Sequence, residues 1–379
     1  MTSAICCASS AVLLASSSIT SNGSDEGSAV PIHQHLIGPI RPTINTEKHG
    51  PVVRSLPLEG PAGPGPAGEA REISEVCMTR VGLPVSLPPD PNTRAPRWTV
   101  PKGACDTHAH IFGPPDIFPY NDQRRYTPPA APIEHYRNVQ RIAGLSRAVF
   151  VTPTAHGYDN RVILDAIAKL GDSARGIANI NSSFETGSLT ALAEAGIRGA
   201  RFHLMKDRPG SVEHLSENLP VLQRLGWVLD LHVDPVDLIE HESFIRALPT
   251  VTIIDHMARV RGSDGLDQPA FLLLLDLLKD DRYWVKLCSF DKISAVPQAR
   301  VEGSLPFLDM VPFAQAVIEA APDRVIWGTD WPHGNTFTPG RTPNEGDLLD
   351  LLAAIAPDQA IRKRILVDNP ARLFGFAPA

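Results

Sequence analysis

The feature that most constrains the fold is a regular alternation of short apolar runs with helical stretches from Ala104 to the C-terminus. The runs predict strands that are apolar over much of their length, as buried parallel strands are. The predicted strands are Cys105–Phe112, Arg147–Thr152, Gly176–Asn181, Gly199–Leu204, Trp227–Val233, Thr250–Met257, Tyr283–Ser289 and Arg324–Thr329. The predicted helices include Ile133–Leu145, Arg161–Leu170, Leu189–Ala195, Val212–Leu225, Ala270–Lys279 and Phe307–Ala321. This alternation indicates right-handed βαβ units and a parallel sheet.

Eight strand–helix units in one continuous segment match a (β/α)8 TIM barrel, an α/β fold of roughly 250 residues. A doubly wound parallel sheet is the alternative. That fold usually has fewer strands, and it favours a glycine-rich loop after the first strand. This chain has His108-Ala109-His110 at that place, so we predict a TIM barrel.

The first hundred residues differ in composition from the rest of the chain. Fourteen of the 36 prolines lie before residue 102, and residues 60–68 read GPAGPGPAG, which is typical of a linker. Residues 1–21 are rich in small residues but lack the basic residues of a secretory signal, so an N-terminal targeting segment is left open. We predict that residues 1–77 form a disordered extension, 78–103 a leader segment and 104–379 the barrel.

Charge and composition exclude several classes of partner. The 35 basic and 42 acidic residues give a net charge of −7, without the basic cluster that nucleic acid requires. No apolar run in the body approaches the roughly 20 residues that cross a bilayer. The five cysteines, Cys6, Cys7, Cys77, Cys105 and Cys288, form no disulfide framework, which is typical of a reducing compartment. We predict a cytoplasmic protein that binds neither nucleic acid nor membrane; whether it forms a homo-oligomer is left open.

Polar side chains collect at the carboxyl ends of the predicted strands, the face where TIM barrels place their chemistry. They include His108, His110, Arg201, His232, His256 and Asp330. His108 and His110 are two residues apart on a strand, so both imidazoles point to the same side. Converging imidazoles and carboxylates suit Zn²⁺ or a similar divalent ion. A single histidine is more often a hydrogen-bonded core residue, but the joint placement of these residues indicates an active site.

Asp330 follows the eighth predicted strand, in the segment Gly328–Pro332. A carboxylate there can bind a metal or take a proton from an attacking water, with a turn-forming role as the alternative. His333 is predicted to lie in a loop or on the rim. Side chains near the same strand ends are predicted to hold an anionic ligand: Tyr126, Thr154, Arg201, Arg259 and Lys292. For Lys292 a solvated surface position is equally expected.

With these residues in view, the chain resembles the amidohydrolase superfamily, and within its amidohydrolase-2 branch the group of 2-pyrone-4,6-dicarboxylate and 4-sulfomuconolactone hydrolases. The resemblance extends over about residues 97–376. The matching segments are Cys105–Gly113 (CDTHAHIFG), Arg125–Pro128 (RYTP), His156–Asn160 (HGYDN), Gly199–Phe202 (GARF), Asp255–Met257 (DHM), Trp327–His333 (WGTDWPH) and Asn369–Leu373 (NPARL). DTHAH is shared across the superfamily, whereas its combination with HGYDN and WGTDWPH is much more specific.

The resemblance implies a lactone hydrolase of aromatic-compound catabolism, in which activated water attacks the ester carbonyl of a small anionic lactone. The implied roles are Asp330 as the group that activates water, His108, His110 and His256 as groups that polarise the carbonyl or orient the water, and Tyr126, Thr154 and Arg201 as ligands of an anionic substituent. A metal-dependent decarboxylase or hydratase of the same branch is the alternative enzyme, because it shares the same strand-end residues. A barrel with an inactive site that serves as a binding scaffold is the non-enzymatic alternative.

The chain departs from the pyrone hydrolases at His232. Those enzymes have a tyrosine there and are regarded as metal-independent, whereas branch members that bind Zn²⁺ use a histidine on this strand. The resemblance therefore implies that His108, His110, His232 and Asp330 bind Zn²⁺ or another divalent metal, with His256 left to assist the water.

Two further departures concern the substrate. Asp207 falls where the pyrone enzymes have an arginine, with Arg208 one residue out of register, and Lys292 replaces another arginine. An arginine binds a carboxylate through two parallel hydrogen bonds, so losing two arginines argues against the pyrone dicarboxylate itself. A lactone with one carboxylate and a different second anion, such as 4-sulfomuconolactone, fits better.

Overall fold

The structure, a computed structural model, describes residues 82–205, 211–296 and 304–379. The predicted disordered extension 1–77 lies outside the described residues, and so do Asp207 and Arg208. Within the described ranges, no helix combines the length and the apolar composition needed to span a membrane.

Eight parallel strands form one sheet in the order β1 to β8, so each strand pairs with its neighbour along the chain. The strands are β1 Cys105–Ala109, β2 Arg147–Val151, β3 Ala174–Ala178, β4 Ile197–His203, β5 Val228–His232, β6 Thr252–Ile254, β7 Tyr283–Leu287 and β8 Val325–Trp327. The end of β1 meets the segment after β8, because His110 N donates to Trp331 O at 2.7 Å and Asp330 N donates to His108 O at 2.8 Å. The predicted TIM barrel is confirmed.

The close approach of β8 to β1 depends on Gly328. A Cβ atom at this position would lie 2.6 Å from His108 Cβ and 2.7 Å from His108 N. A side chain there would push the two strands apart. Glycine therefore lets the barrel close directly beside the His-x-His pair.

Helices surround the sheet, and the predicted ones are all present. Two of them, Arg161–Leu170 and Val212–Leu225, have the predicted ends. Within the described ranges the α-helices are α1 Ile133–Ala143, α2 Arg161–Leu170, α3 Thr186–Glu194, α4 Val212–Leu225, α5 Pro235–Glu240, α6 Glu242–Arg246, α7 Pro269–Leu277, α8 Phe290–Ile293, α9 Val311–Ala320, α10 Glu345–Ile355, α11 Gln359–Lys363 and α12 Asn369–Phe374.

The apolar core has two parts, because successive side chains of a strand point to opposite faces. The larger part lies between sheet and helices, where strand residues such as Phe150 and Leu229 join helix residues such as Ile163 and Leu222. The smaller part fills the barrel interior: Cys105, Val149, Val151, Ile177, Val228, Ile253, Trp284, Ile326, Phe374 and Phe376. Towards the carboxyl ends the interior becomes polar, and the predicted site residues lie there.

The described part of the leader segment packs against the barrel. Ser86 N donates to Thr127 O at 2.9 Å, and Trp98 Nε1 donates to Leu349 O, in α10, at 3.0 Å. Arg94 forms ion pairs with two carboxylates of α10, Asp347 and Asp350. Hydrogen bonds and ion pairs therefore hold the described part of the leader segment against the loop after β1 and against α10.

Candidate active site

A cavity opens at the carboxyl ends of the strands, and nine of the ten predicted site residues line it. The lining residues are His110, Tyr126, Pro153, Thr154, Arg201, His203, His232, His256, Arg259, Ser289, Lys292, Asp330, Gly334 and Asn335. The tenth, His108, is fully buried beneath the cavity, with its ring centroid 4.9 Å from that of His110 and 4.8 Å from that of His256. The structure therefore brings together residues that the sequence spreads over more than two hundred positions.

The Asp330 carboxylate faces the His-x-His pair. Its Oδ1 lies 3.6 Å from His108 Nε2 and 3.5 Å from His110 Nε2, and its Oδ2 accepts a hydrogen bond from Ser289 Oγ. Burial opposes ionisation of this carboxyl, but its contacts with His110, His256 and His108 hold its pKa well below the usual range. Asp330 is therefore an oriented carboxylate near pH 7.

Three buried imidazoles, those of His108, His232 and His256, are held in their neutral form. Burial, reinforced by the nearby Lys286 ammonium, places the pKa of His108 well below its usual value. Burial and the Arg201 guanidinium do the same for the pKa of His232, and burial lowers the pKa of His256 to about 4. Near pH 7 each of these rings therefore has one N–H and one lone pair, the form that can bind a metal or both donate and accept hydrogen bonds.

Three of the four predicted metal ligands converge. His108, His110 and Asp330 each offer one ligand atom, and these atoms lie within 4.8 Å of one another. Two imidazoles and one carboxylate are a donor set that suits Zn²⁺, so these residues fit a divalent ion. The fourth predicted ligand, His232, is not in this group: its Nδ1 lies 2.9 Å from Arg201 Nη2, and its Nε2 has no hydrogen-bond partner among the described residues.

His256 reaches the cavity from an unusual turn after β6. The predicted strand continued to Met257, but it ends at Ile254 because His256, Met257, Ala258 and Arg259 have φ values of 51°, 50°, 53° and 55°. Left-handed backbone costs about 1–2 kcal/mol per non-glycine residue, so the surrounding packing must hold this turn. The turn brings both His256 and Arg259 to the cavity wall.

The His256 ring is fixed on both sides. Its Nδ1 lies 2.7 Å from Cys288 Sγ, and its Nε2 lies 3.1 Å from Arg201 Nη2 and 3.2 Å from Asp255 Oδ2. Burial and the Asp255 charge raise the pKa of the Cys288 thiol well above its usual value, so the sulfur stays protonated. Cys288 is therefore a hydrogen-bond partner of His256 rather than a thiolate nucleophile.

A layer of buried charges lies directly under the cavity, and sequence reasoning did not assign it. Lys286 Nζ lies 3.0 Å from Asp230 Oδ1 and 3.2 Å from Asp255 Oδ1. Arg201 Nη2 lies 2.6 Å from Asp255 Oδ2. Two cations thus face two carboxylates inside the barrel. The signal was present in the sequence, because Asp230 precedes His232 by two residues and must point to the same side of β5.

Charge pairing holds Asp255 and Lys286 of this layer in their ionised forms. Burial opposes ionisation of Asp255, but the contacts with His256, Lys286, His108 and Arg201 hold its pKa well below the usual range. For Asp230, burial and the neighbouring Asp255 raise the pKa. Burial also opposes the charge of Lys286, yet Asp230 and Asp255 raise its pKa above the usual value.

The sequence profile of the Amidohydrolase family matches residues 105–376. The chain belongs to the Amidohydrolase family. This amidohydrolase is 40% identical over 299 residues to a 4-sulfomuconolactone hydrolase of Rhizobium radiobacter, covering 78% of this chain and 98% of that protein. It is 37% identical over 287 residues to a 2-pyrone-4,6-dicarboxylate hydrolase of Comamonas testosteroni, covering 75% of this chain and 93% of that protein. An apo crystal structure from Agrobacterium tumefaciens matches with a TM-score of 0.64 at 26% identity, covering 75% of this chain and 100% of that chain.

The predicted anion ligands of this amidohydrolase surround the cavity mouth. Thr154 begins the turn after β2, and Arg259 follows from the left-handed turn after β6. Lys292 donates to Thr336 Oγ1 and lies 2.9 Å from Asp291 Oδ2. A second cavity adjoins the first on the outside, and the two share Tyr126, Thr154, Arg201, His203 and Asn335. The amidohydrolase therefore has room for a ligand that extends outward from the buried residues.

His333 lies in a loop, as predicted, but not on the rim. Its side chain is 0% exposed and its Nε2 lies 3.3 Å from Glu345 Oε1. The segment after β8 folds back onto the start of α10, a long-range contact that no local pattern reveals. His203, the last residue of β4, lines both cavities, and no role was predicted for it from the sequence.

Proposed function

We propose that this amidohydrolase hydrolyses an anionic lactone in aromatic-compound catabolism, with 4-sulfomuconolactone as the leading substrate and a lactone like 2-pyrone-4,6-dicarboxylate as a related one. The observation that supports the proposal most is the position of the Asp330 carboxylate: it faces a cavity whose walls include the cationic side chains of Arg201, Arg259 and Lys292. The named relatives support the same reaction class, because both are hydrolases of anionic lactones.

Asp330 is the proposed base. It takes a proton from the water that attacks the ester carbonyl, while Ser289 holds its other oxygen in place. A positioned general base contributes about 10²–10⁴-fold to the rate of such a step. The bond between the acyl carbon and the ring oxygen then breaks, and the ring oxygen leaves as an enol or enolate.

His232 is suited to stabilise the negative charge on the carbonyl oxygen. Arg201 Nη2, 2.9 Å away, can only donate, so His232 Nδ1 accepts and the ring proton is on Nε2. That Nε2–H has no hydrogen-bond partner among the described residues, and the ring lines the cavity. A donor in such a place can bind the developing oxyanion. His256 lies on the same wall and is proposed to assist the water.

The substrate's anionic groups are proposed to bind at the mouth of the cavity. Arg259 and Lys292 supply positive charge, while the Tyr126 and Thr154 hydroxyls supply hydrogen bonds. Arg201 contributes from below, although one of its nitrogens is already engaged with Asp255. One guanidinium and one ammonium suit two different anionic groups better than two equivalent carboxylates.

A divalent ion, with Zn²⁺ as the leading candidate, would be held by His108, His110 and Asp330. When bound, it would polarise the carbonyl and ease deprotonation of water. A decarboxylase or hydratase would use the same residues, but the lactone-hydrolysing relatives do not favour that alternative.

The proposal is tested by incubating the purified protein with 4-sulfomuconolactone, 2-pyrone-4,6-dicarboxylate and an uncharged lactone of similar ring size. Chelator-treated and Zn²⁺-supplemented protein are assayed in parallel for sulfite, maleylacetate and CO₂. We expect release of sulfite and maleylacetate without CO₂, and little turnover of the uncharged lactone. Absence of turnover of both anionic lactones in both forms would overturn the proposal, and CO₂ release would favour the decarboxylase.

A further inference from the structure

A single chain of hydrogen bonds runs through the His-x-His pair. Lys286 Nζ lies 3.0 Å from His108 Nδ1, and His108 Nε2 lies 3.3 Å from His110 Nε2. At the far end, His110 Nδ1 lies 2.7 Å from the carbonyl oxygen of Val151. Lys286 and His108 are both 0% exposed, so bulk water does not compete for the contact between them.

The two ends of this chain fix the direction of every bond. An ammonium can only donate and a carbonyl oxygen can only accept. Lys286 therefore donates to His108 Nδ1, and His110 Nδ1 donates to Val151 O. A neutral imidazole has one N–H, so the remaining proton of His108 is on Nε2, where it faces His110 Nε2 at 3.3 Å and Asp330 Oδ1 at 3.6 Å.

Asp255 could stabilise the other tautomer of His108, with the ring proton on Nδ1. Asp255 Oδ1 lies 3.3 Å from His108 Nδ1 and could accept a proton from it. In that arrangement a ring N–H would face the Lys286 ammonium at 3.0 Å with no lone pair between them. Lys286 therefore disfavours the tautomer of His108 that has its proton on Nδ1.

This choice of tautomer affects metal binding, because a metal ligand must present a lone pair. Coordination through Nε2 of both histidines requires His108 to move its proton to Nδ1, and Lys286 must give up its hydrogen bond. We propose that Lys286 is a positioning residue that sets the tautomer of His108 and thereby weakens divalent-metal binding by His108, His110 and Asp330. The proposal is independent of which lactone is hydrolysed, since it concerns the affinity for the metal alone.

A buried ammonium would also repel a metal ion simply by its charge, and the variants must separate the two effects. Lys286→Met removes both the charge and the donor. The double variant Lys286→Met/Asp230→Asn removes the donor but leaves the net charge unchanged, because Asp230 Oδ1 is an ion-pair partner of Lys286 at 3.0 Å. It also avoids leaving a buried carboxylate unpaired. Lys292→Met is the control, since Lys292 lies at the cavity mouth beside Asp291.

Isothermal titration of chelator-treated protein with Zn²⁺ measures the effect directly. Losing a favourable partner of a metal-binding histidine typically lowers metal affinity about 10–100-fold. Because Lys286 opposes metal binding, we expect a change in the other direction: the double variant should bind Zn²⁺ at least about tenfold more tightly than the unmodified chain. Lys292→Met should bind Zn²⁺ with unchanged affinity. Equal affinity of the double variant and the unmodified chain would overturn the proposal.

A second measurement needs no change of Lys286 and decides the question even where the double variant does not fold. The protein is labelled with ¹⁵N-histidine and treated with a chelator to remove metal. NMR should then find the ring proton of His108 on Nε2 and that of His110 on Nδ1. His108→Gln assigns the signals. A His108 ring protonated on Nδ1 would overturn the proposal, whatever the titration shows.

Discussion

The Arg201 guanidinium lies 2.6 Å from the Asp255 carboxylate, so an arginine predicted to bind substrate is also paired with a buried anion. The same nitrogen lies 2.9 Å from His232 Nδ1 and 3.1 Å from His256 Nε2. The two N–H bonds of this nitrogen suffice for the two shorter contacts, so it neutralises the Asp255 carboxylate and orients His232, while His256 packs beside it. A change at Arg201 should therefore alter stability and catalysis together.

Arg201→Met should lower the free energy of unfolding by about 3–5 kcal/mol, because it leaves Asp255 with one cation fewer in the barrel interior. Urea unfolding followed by circular dichroism measures this loss. Arg201→Lys is the matched control, because it keeps the positive charge but loses the planar guanidinium. Relative to Arg201→Met, it should recover part of the stability and little of the turnover. An Arg201→Met chain as stable as the unmodified one would show that the pair contributes nothing net.

Asp330→Asn should lower kcat by about 10²–10⁴-fold, because the amide cannot take the proton of the attacking water. Its unfolding midpoint should change little, since an amide has nearly the same shape. Ser289→Ala is the graded comparison, because it removes only the hydroxyl that holds Asp330 Oδ2 and should produce a smaller loss of kcat. Steady-state kinetics on an anionic lactone provide the measurement, and full turnover by Asp330→Asn would exclude it as the base.

Local sequence patterns were sufficient to predict the barrel and most of the residues that line the candidate site. Polar residues lie at or just after the ends of several apolar runs, and the carboxyl ends of parallel strands meet at one face, so His110, His232 and Asp330 could be expected together. The pattern does not reveal which inward side chains meet across the barrel. The contact of Lys286 with His108 joins positions 178 residues apart, and only the closed fold shows it.

The turn after β6 shows a different limit of sequence reasoning. A left-handed backbone conformation can usually be predicted from a glycine or an asparagine in the sequence. His256, Met257, Ala258 and Arg259 give no such signal, so the apolar pattern extended the strand by three residues too far. Packing around the turn, rather than local preference, determines its conformation.

Because the metal-binding group consists of His108, His110 and Asp330, we predict that changes at His110 and at His232 differ in their effect on metal binding. His110→Gln should bind Zn²⁺ at least about tenfold more weakly than the unmodified chain, because it removes a ligand atom of the group. His232→Phe should keep its Zn²⁺ affinity but lose turnover, since it removes the N–H that faces the cavity and supplies no other donor. Titration calorimetry and kinetics distinguish the two effects. An equal loss of Zn²⁺ affinity in both variants would support the four-ligand set that the family resemblance implied.

The leader segment should be required for stability, whereas residues 1–77 should not be. A chain that begins at Met78 should keep full turnover and the same unfolding midpoint, because the family profile and the site residues all lie beyond residue 104. A chain that begins at Ala104 should unfold at lower temperature. It loses Arg94, and it loses the Arg97 N–H that donates to Asp350 Oδ1 at 2.7 Å, so the Asp350 carboxylate loses its partners at a cost of about 1–3 kcal/mol.

Differential scanning calorimetry and kcat/KM on the same lactone compare the two shortened chains with the full one. Asp350→Asn in the Ala104 chain is the matched variant, because the neutral amide should recover part of the lost stability. Loss of folding or turnover in the Met78 chain would show that residues 1–77 belong to the working enzyme. An Ala104 chain as stable as the full one would show that the contacts of the leader with α10 add no net stability.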